Sequence, residues 1–408
     1  MIHTYSTLPN SVRKFLIAHG ASAFSLGVHQ VLLAWLSVSL LGLSSSSLGW
    51  IQAAGLIPNL LLMLVAGALA DKCNVYRILL MAQLGLTVCF LALAALIATN
   101  SLTFLTLAIY AIAVGSANAF IQPAREKIVG DLSQHSVQVK ITRASIVQFT
   151  LQAVGVVVAA LSDQAGLVFV IVIQAVVSGL SALQLRSLGH TAMSAAGVSK
   201  VAGPVTLFRL QILEGIRAVS SDKRLVQLVG LVGFNGFMHL GLYIVVMPLF
   251  ARDIYGFNTL EYGFLQLCFV LGMLSAHILI MFKPRIEYPA QGALFSLLYT
   301  AIVGYALSYQ PTITGLYIMV VFWGWIAGYS ASHCRMVLQS LAKPELKGRL
   351  MSIYQLMLFG MAPLGALVAG YFSAFYSFSE IFSVLSGASI ALFVLFLFTR
   401  DLWAVQQQ

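Results

Sequence analysis

Apolar residues run through the chain in stretches of about 20, parted by short polar breaks. The runs are continuous. Strands that span membranes instead alternate apolar and polar positions over about ten residues. A continuous run of this length suits a helix crossing roughly 30 Å of hydrocarbon. The pattern predicts twelve such helices, over 15–41, 47–70, 76–98, 102–122, 141–161, 166–186, 226–250, 260–281, 289–308, 312–334, 349–373 and 378–399. The expected fold class is therefore an all-α membrane protein with twelve transmembrane helices.

Most breaks are very short, and the exception, about 187–225, divides the spans into two groups of six. Its first part, SLGHTAMSAAGVSKVAGP, is small and polar and reads as a linker. Its second part, VTLFRLQILEGIRAVSSDKR, has apolar residues at helical spacing beside Arg209, Arg217, Lys223 and Arg224. It reads as a basic amphipathic helix at a membrane surface. The expected domains are a six-helix bundle over 1–187, a linker with that helix over 188–225, and a second six-helix bundle over 226–408.

Composition agrees with a membrane chain. Of 408 residues, 60% are hydrophobic and 8% charged, whereas soluble domains carry about 25% charged residues. Of the 22 Lys and Arg, only Arg252 falls in an outer loop on this assignment. The positive-inside rule then puts both termini and the linker in the cytoplasm. The net charge of +10 is thus mostly topology, and no nucleic-acid partner is expected. The apolar run after Arg13 and Lys14 continues to about Leu43, too long for a cleaved signal, so it reads as the first span. Cys73, Cys89, Cys268 and Cys334 form no CxxC pair, and no metal site, nucleotide loop or nucleophile triad is spaced along the chain.

The halves repeat one another. FSLGVH at Phe24–His29 aligns with FNGFMH at Phe234–His239, LGWIQ at Leu48–Gln52 with YGFLQ at Tyr262–Gln266, and ASIVQ at Ala144–Gln148 with MSIYQ at Met351–Gln355. Arg125 and Arg335 match at the ends of spans four and ten. All four offsets lie between 207 (355 − 148) and 214 (266 − 52), which favours a duplicated six-span unit. The repeat also brings out polar groups placed inside spans: His29, Gln30, Gln52, Gln148, His239, Gln266 and Gln355. Intramembrane polar groups usually face a bundle interior or a pathway. One reading makes these residues the lining of a shared hydrated substrate site. The other makes each a hydrogen bond that glues neighbouring helices.

GALADKCNVYR at Gly67–Arg77 joins spans two and three and resembles motif A of the major facilitator superfamily. Gly67, Asp71, Lys72 and Arg77 match it, and Asn74 stands where the family usually has glycine, a substitution expected to tolerate a left-handed backbone. PELKGRLMSIYQLMLFGMAPLGALVAG at Pro344–Gly370 resembles the span ten–eleven region of the drug and siderophore exporter branch, which includes the enterobactin exporter and macrolide efflux proteins. QPAREKIVGDL at Gln122–Leu132 resembles that branch's span four–five connection. The resemblance implies two pseudo-symmetric six-helix bundles and alternating access. It also implies a gating set of Gly67, Asp71, Lys72, Arg77, Arg125, Arg335 and Arg349 at the cytoplasmic side.

No carboxylate stands at mid-span, which suits a neutral or anionic cargo better than a cationic one. Asp71, Glu126, His29 and His239 are the candidate proton carriers. The expected activity is secondary transport of a small polar or anionic, siderophore-like molecule, with proton-coupled efflux by a monomer in contact with membrane lipid. The partners are then the solute and a proton or other coupling ion, and no cofactor is expected. The alternatives are uptake of such a solute, movement of a lysolipid and, from another class, a polytopic membrane enzyme.

Overall fold

A computed structural model describes residues 10–131, 137–192, 214–282, 286–342, 346–403 and 405, and among these it is almost wholly helical, with no strand. The long helices are α1 (Asn10–Trp35), α2 (Ser45–Lys72), α3 (Val75–Ala98), α4 (Phe104–Asp131), α5 (Val137–Ala160) and α6 (Leu167–Ala192). The second set is α7 (Lys223–Asp253), α8 (Thr259–Phe282), α9 (Pro289–Ser308), α10 (Ile313–Leu341), α11 (Lys347–Phe372) and α12 (Phe378–Thr399). Eleven of them carry an apolar stretch long enough to cross a membrane, and Ser145–Ala160 of α5 is a shorter one. The chain is a multi-pass membrane protein.

Contacts divide the chain into two compact units. The first holds Met1–Leu36, Ala54–Thr206 and Thr259–Phe264; the second holds Ser37–Ala53, Leu207–Asn258 and Leu265–Gln408. The end of the first span and the start of the second thus pack with the second unit. Arg252 donates to the Val38 carbonyl at 2.8 Å, and Ser46 Oγ donates to the Gly370 carbonyl at 3.4 Å.

Glycines decide which helices cross closely. A Cβ on Gly27 of α1 would strike the Gln152 carbonyl of α5, and one on Gly155 would strike the Phe24 carbonyl. In the second unit, Gly236 of α7 meets the Leu358 carbonyl of α11, and Gly365 meets the Phe237 carbonyl. Gly115 of α4 lies on Gly55 of α2, and Gly324 of α10 on the Phe269 carbonyl of α8. Small residues allow this backbone approach, and in lipid such packing drives helix association. The positions repeat at 209 (236 − 27), 210 (365 − 155) and 209 (324 − 115). Each unit therefore uses the same crossings, within the offset range of the sequence repeat.

Two spans carry π segments. α1 runs on into Leu36–Leu40, and Gly236–Leu242 lies inside α7 and contains His239. Such segments are rare and are frequently found at functional sites.

Three helix ends show how local sequence sets the fold. Asn74 has φ −65 and ψ 110, an extended backbone, and its side chain accepts from the Tyr76 and Arg77 amides. The left-handed conformation expected there is not used, because Asn74 serves as the N-cap of α3. Asp222 caps α7, accepting from the Arg224 amide at 2.9 Å. Arg400 ends α12 with φ 53, so the chain turns back and buries Leu402 and Val405 in the core of the second unit. Gln227 of α7 pins that turn by accepting from the Leu402 amide at 3.1 Å and donating to Asp401.

The described part of the expected amphipathic helix, 214–221, is helical. Gly215 rests against Ile353 and the Arg349 carbonyl of α11, and Glu214 pairs with Arg349 at 2.6 Å. Ile216 and Arg217 are exposed on its outer side. The part before residue 214 lies outside the described residues.

Candidate functional site

The first unit gathers four polar side chains around adjacent positions of α1, two of them on the neighbouring helices α4 and α5. His29 Nδ1 lies 3.0 Å from the Tyr110 hydroxyl of α4, with the rings tilted at 52°. The next residue, Gln30, accepts a hydrogen bond from Gln152 Nε2 of α5 at 2.6 Å. His29 is half-buried and Gln30 exposed, while Tyr110 and Gln152 are buried at 6% and 5% exposure. Among the described residues His29 is the one hydrogen-bond partner of Tyr110, and His29 Nε2 makes no bond. Gln152 Oε1 is also buried without a hydrogen-bond partner among them. A lone buried acceptor costs about 1–3 kcal/mol, so its persistence calls for an explanation.

His239 sits differently. Trp323 Nε1 donates to its Nδ1 at 2.6 Å, and Thr300 Oγ1 is 3.4 Å from its Nε2. An indole N–H can only donate. Nδ1 must therefore be the bare nitrogen, which leaves the ring proton on Nε2, facing Thr300. Thr300 passes its own proton to the Ser296 carbonyl, and Ser296 and Asn235 both donate to Ser330. Both nitrogens of His239 are spent inside its own unit, at 6% exposure.

The glutamines split as well. Gln52, Gln266 and Gln355 are buried, and Gln148 is half-buried. Gln266 Oε1 accepts from the Tyr243 hydroxyl at 3.4 Å. The residues that the resemblance implies for gating are spread toward helix ends. Gly67 is half-buried, and Arg77 and Arg335 are exposed. Arg125 donates to Gln122 and reaches His19 Nδ1 at 3.5 Å. It lines a pocket with Phe15, His19, Gln83 and Ser181, about 280 Å³ of space that opens to solvent. The side chains of Asp71, Lys72 and Glu126 lie outside the described residues. Next to them, Lys127 Nζ donates to the Ala70 carbonyl at 2.7 Å, at the C-terminal end of α2, where a cation also answers the helix dipole.

Sequence reading missed Tyr110, Gln152, Trp323 and Lys127. A clue existed for Gln152, which stands four residues after Gln148 and so shares its helix face. Tyr110 and Trp323 are ordinary aromatics in apolar runs, and only the fold shows their histidine partners.

A family model described as the Major Facilitator Superfamily matches residues 15–355. No curated protein sequence matches the chain. Among solved structures, the nucleoside transporter NupG superposes with a TM-score of 0.75 at 14% identity, covering 95% of this chain and 98% of that one. A bacterial homologue of the human drug peptide transporters PepT1 and PepT2 gives 0.70 at 15%, covering 96% and 98%. A bacterial homologue of the human lysosomal transporter Spinster, in an inward-facing and unoccupied conformation, gives 0.67 at 14%, covering 96% and 95%. At such identities the likeness speaks for the fold.

Proposed function

The chain belongs to the major facilitator superfamily and is a transporter rather than an enzyme, and we propose that it moves a small polar solute across the bacterial inner membrane by alternating access. The observation that carries this reading is the α1 face. Gln30 is exposed in the middle of an apolar span and next to His29, whose Nε2 makes no bond among the described residues. An amide turned to hydrocarbon would go unsatisfied at a cost of several kcal/mol. A hydrated solute path removes that cost. The binding surface then includes His29, Gln30, Tyr110 and Gln152, all of them able to bond without carrying a fixed charge. His239 instead holds its own unit together through Trp323 and Thr300.

The resemblance of 344–370 to drug and siderophore exporters supports the outward direction, with a proton as the counter-ion. Asp71, Glu126 and His29 remain the candidate proton carriers. The cargoes named for two structures of similar fold, a nucleoside and a peptide, serve as a starting set for assay.

The test is flux in sealed vesicles holding the purified protein. A polar solute loaded on one side should cross faster with the protein than without it, and an imposed pH gradient should drive it uphill. His29→Leu should weaken half-saturation by about tenfold, the loss of roughly one good hydrogen bond. Unchanged half-saturation in a folded His29→Leu variant removes the α1 face from the site.

A further inference from the structure

We infer that the Gln30–Gln152 pair recognises a neutral solute with a hydrogen-bond donor and acceptor side by side, of the amide, lactam or ureide class. The inference rests on the α1 face being part of the transport site.

Each glutamine offers one carbonyl oxygen and one NH₂ group. A single bond from Gln152 Nε2 to Gln30 Oε1, at 2.6 Å, leaves the Gln152 oxygen and the Gln30 NH₂ to find partners. The Gln152 oxygen has none among the described residues and is closed off from solvent. Turning both amides over changes nothing essential. The bond would then run from Gln30 to Gln152, and one NH₂ and one oxygen would again be left. The pair always presents one donor and one acceptor, whichever way the amides are assigned.

This selects among ligand chemistries. A carboxylate or phosphate satisfies the NH₂ but sets its lone pairs against the bare oxygen. An ammonium does the reverse. A group with N–H beside C=O answers both at once.

The pair is also held in place. The Gln152 carbonyl lies where a Cβ on Gly27 would sit, so the α1 and α5 backbones touch just before Gln30. That contact fixes where the Gln152 side chain starts. Its last torsion, between an sp³ and an sp² carbon, is broad. The amide can therefore swing its oxygen toward an arriving solute while the backbone stays fixed, as a preorganised site requires. The preceding residue, His29, bonds to Tyr110 of α4 beside this pair.

The experiment uses the full chain in vesicles with Cys73→Ser and Cys89→Ser. Leu26→Cys supplies a reporter one turn before Gln30 on a half-buried position. A small polar methanethiosulfonate reagent labels the introduced thiol. Hydantoin, a cyclic ureide, should slow labelling, while erythritol and lactate at equal concentration should not. Adding Gln152→Leu should raise the half-protecting hydantoin concentration about tenfold, as for one lost hydrogen bond. Labelling without hydantoin should stay the same. Gln152→Met provides a second variant of similar size should the leucine variant misfold. Equal protection by hydantoin with and without Gln152 overturns the inference. Stronger protection by lactate or erythritol overturns the ligand class while the α1 site stands. A thiol at position 26 that never reacts, from either side of the membrane, overturns both.

Discussion

At the residue scale, the two histidines of the repeat sit in different hydrogen-bond settings although they match in the sequence repeat. Among the described residues, His29 keeps Nε2 unspent and shares one bond with Tyr110, whereas His239 is locked between Trp323 and Thr300. Matching substitutions should separate the two roles. Tyr110→Phe removes a hydroxyl that steers His29, so solute half-saturation should weaken by about three- to tenfold with stability nearly kept. Trp323→Phe strands Nδ1 of His239 as a buried acceptor, which should cost about 1–3 kcal/mol of stability and leave half-saturation of the folded protein unchanged. Thermal unfolding and vesicle flux measured on both variants check the pair of outcomes. Sequence could single out both histidines, because a polar group in an apolar run is visible in one dimension. Their partners lie 81 and 84 positions away, and no local pattern reports on such distances.

At the element scale, spans were legible because hydrocarbon thickness imposes a run length. The close crossings were not. Gly155 and Gly365 look like any glycine in an apolar run until the facing carbonyl is known. Gly365→Leu should push α11 off Phe237 and destabilise the second unit by about 1–3 kcal/mol or more, as overpacking does. Gly387 of α12, with open space around the added carbon, is the control and should tolerate Ala at a gain of a few tenths to about 1 kcal/mol. Unfolding in detergent compares them. Asp222 gives a pH test. The hydrogen bond from the Arg224 side chain holds its carboxyl below the usual carboxylate range. A depressed carboxyl stabilises the fold above its unfolded value and loses that effect as pH falls through the folded one. Asp222→Ala should therefore cost about 0.5–2 kcal/mol at neutral pH, and the gap from the native chain should close only below about pH 4.

At the scale of the whole molecule, a duplicated six-span unit explains the paired motifs and the paired crossings together. Its halves have diverged in chemistry: amides and a half-open histidine in the first, a closed hydroxyl and indole network in the second. The family and the twelve-span plan were readable from hydrophobic runs and the Gly67–Arg77 motif. The setting of Arg349 was less so, because it pairs with Glu214 of the linker helix, an ion pair that neither segment announces by itself. The central claim is that this chain moves a polar solute along a path that Gln30 and His29 face. Solute flux into sealed vesicles, driven by a pH gradient and read for the native chain beside a folded Gln30→Leu, His29→Leu double variant, tests it most directly. The native chain should show saturable, gradient-driven flux that the double variant loses at low solute concentration. Equal flux from both proteins at every concentration would contradict it.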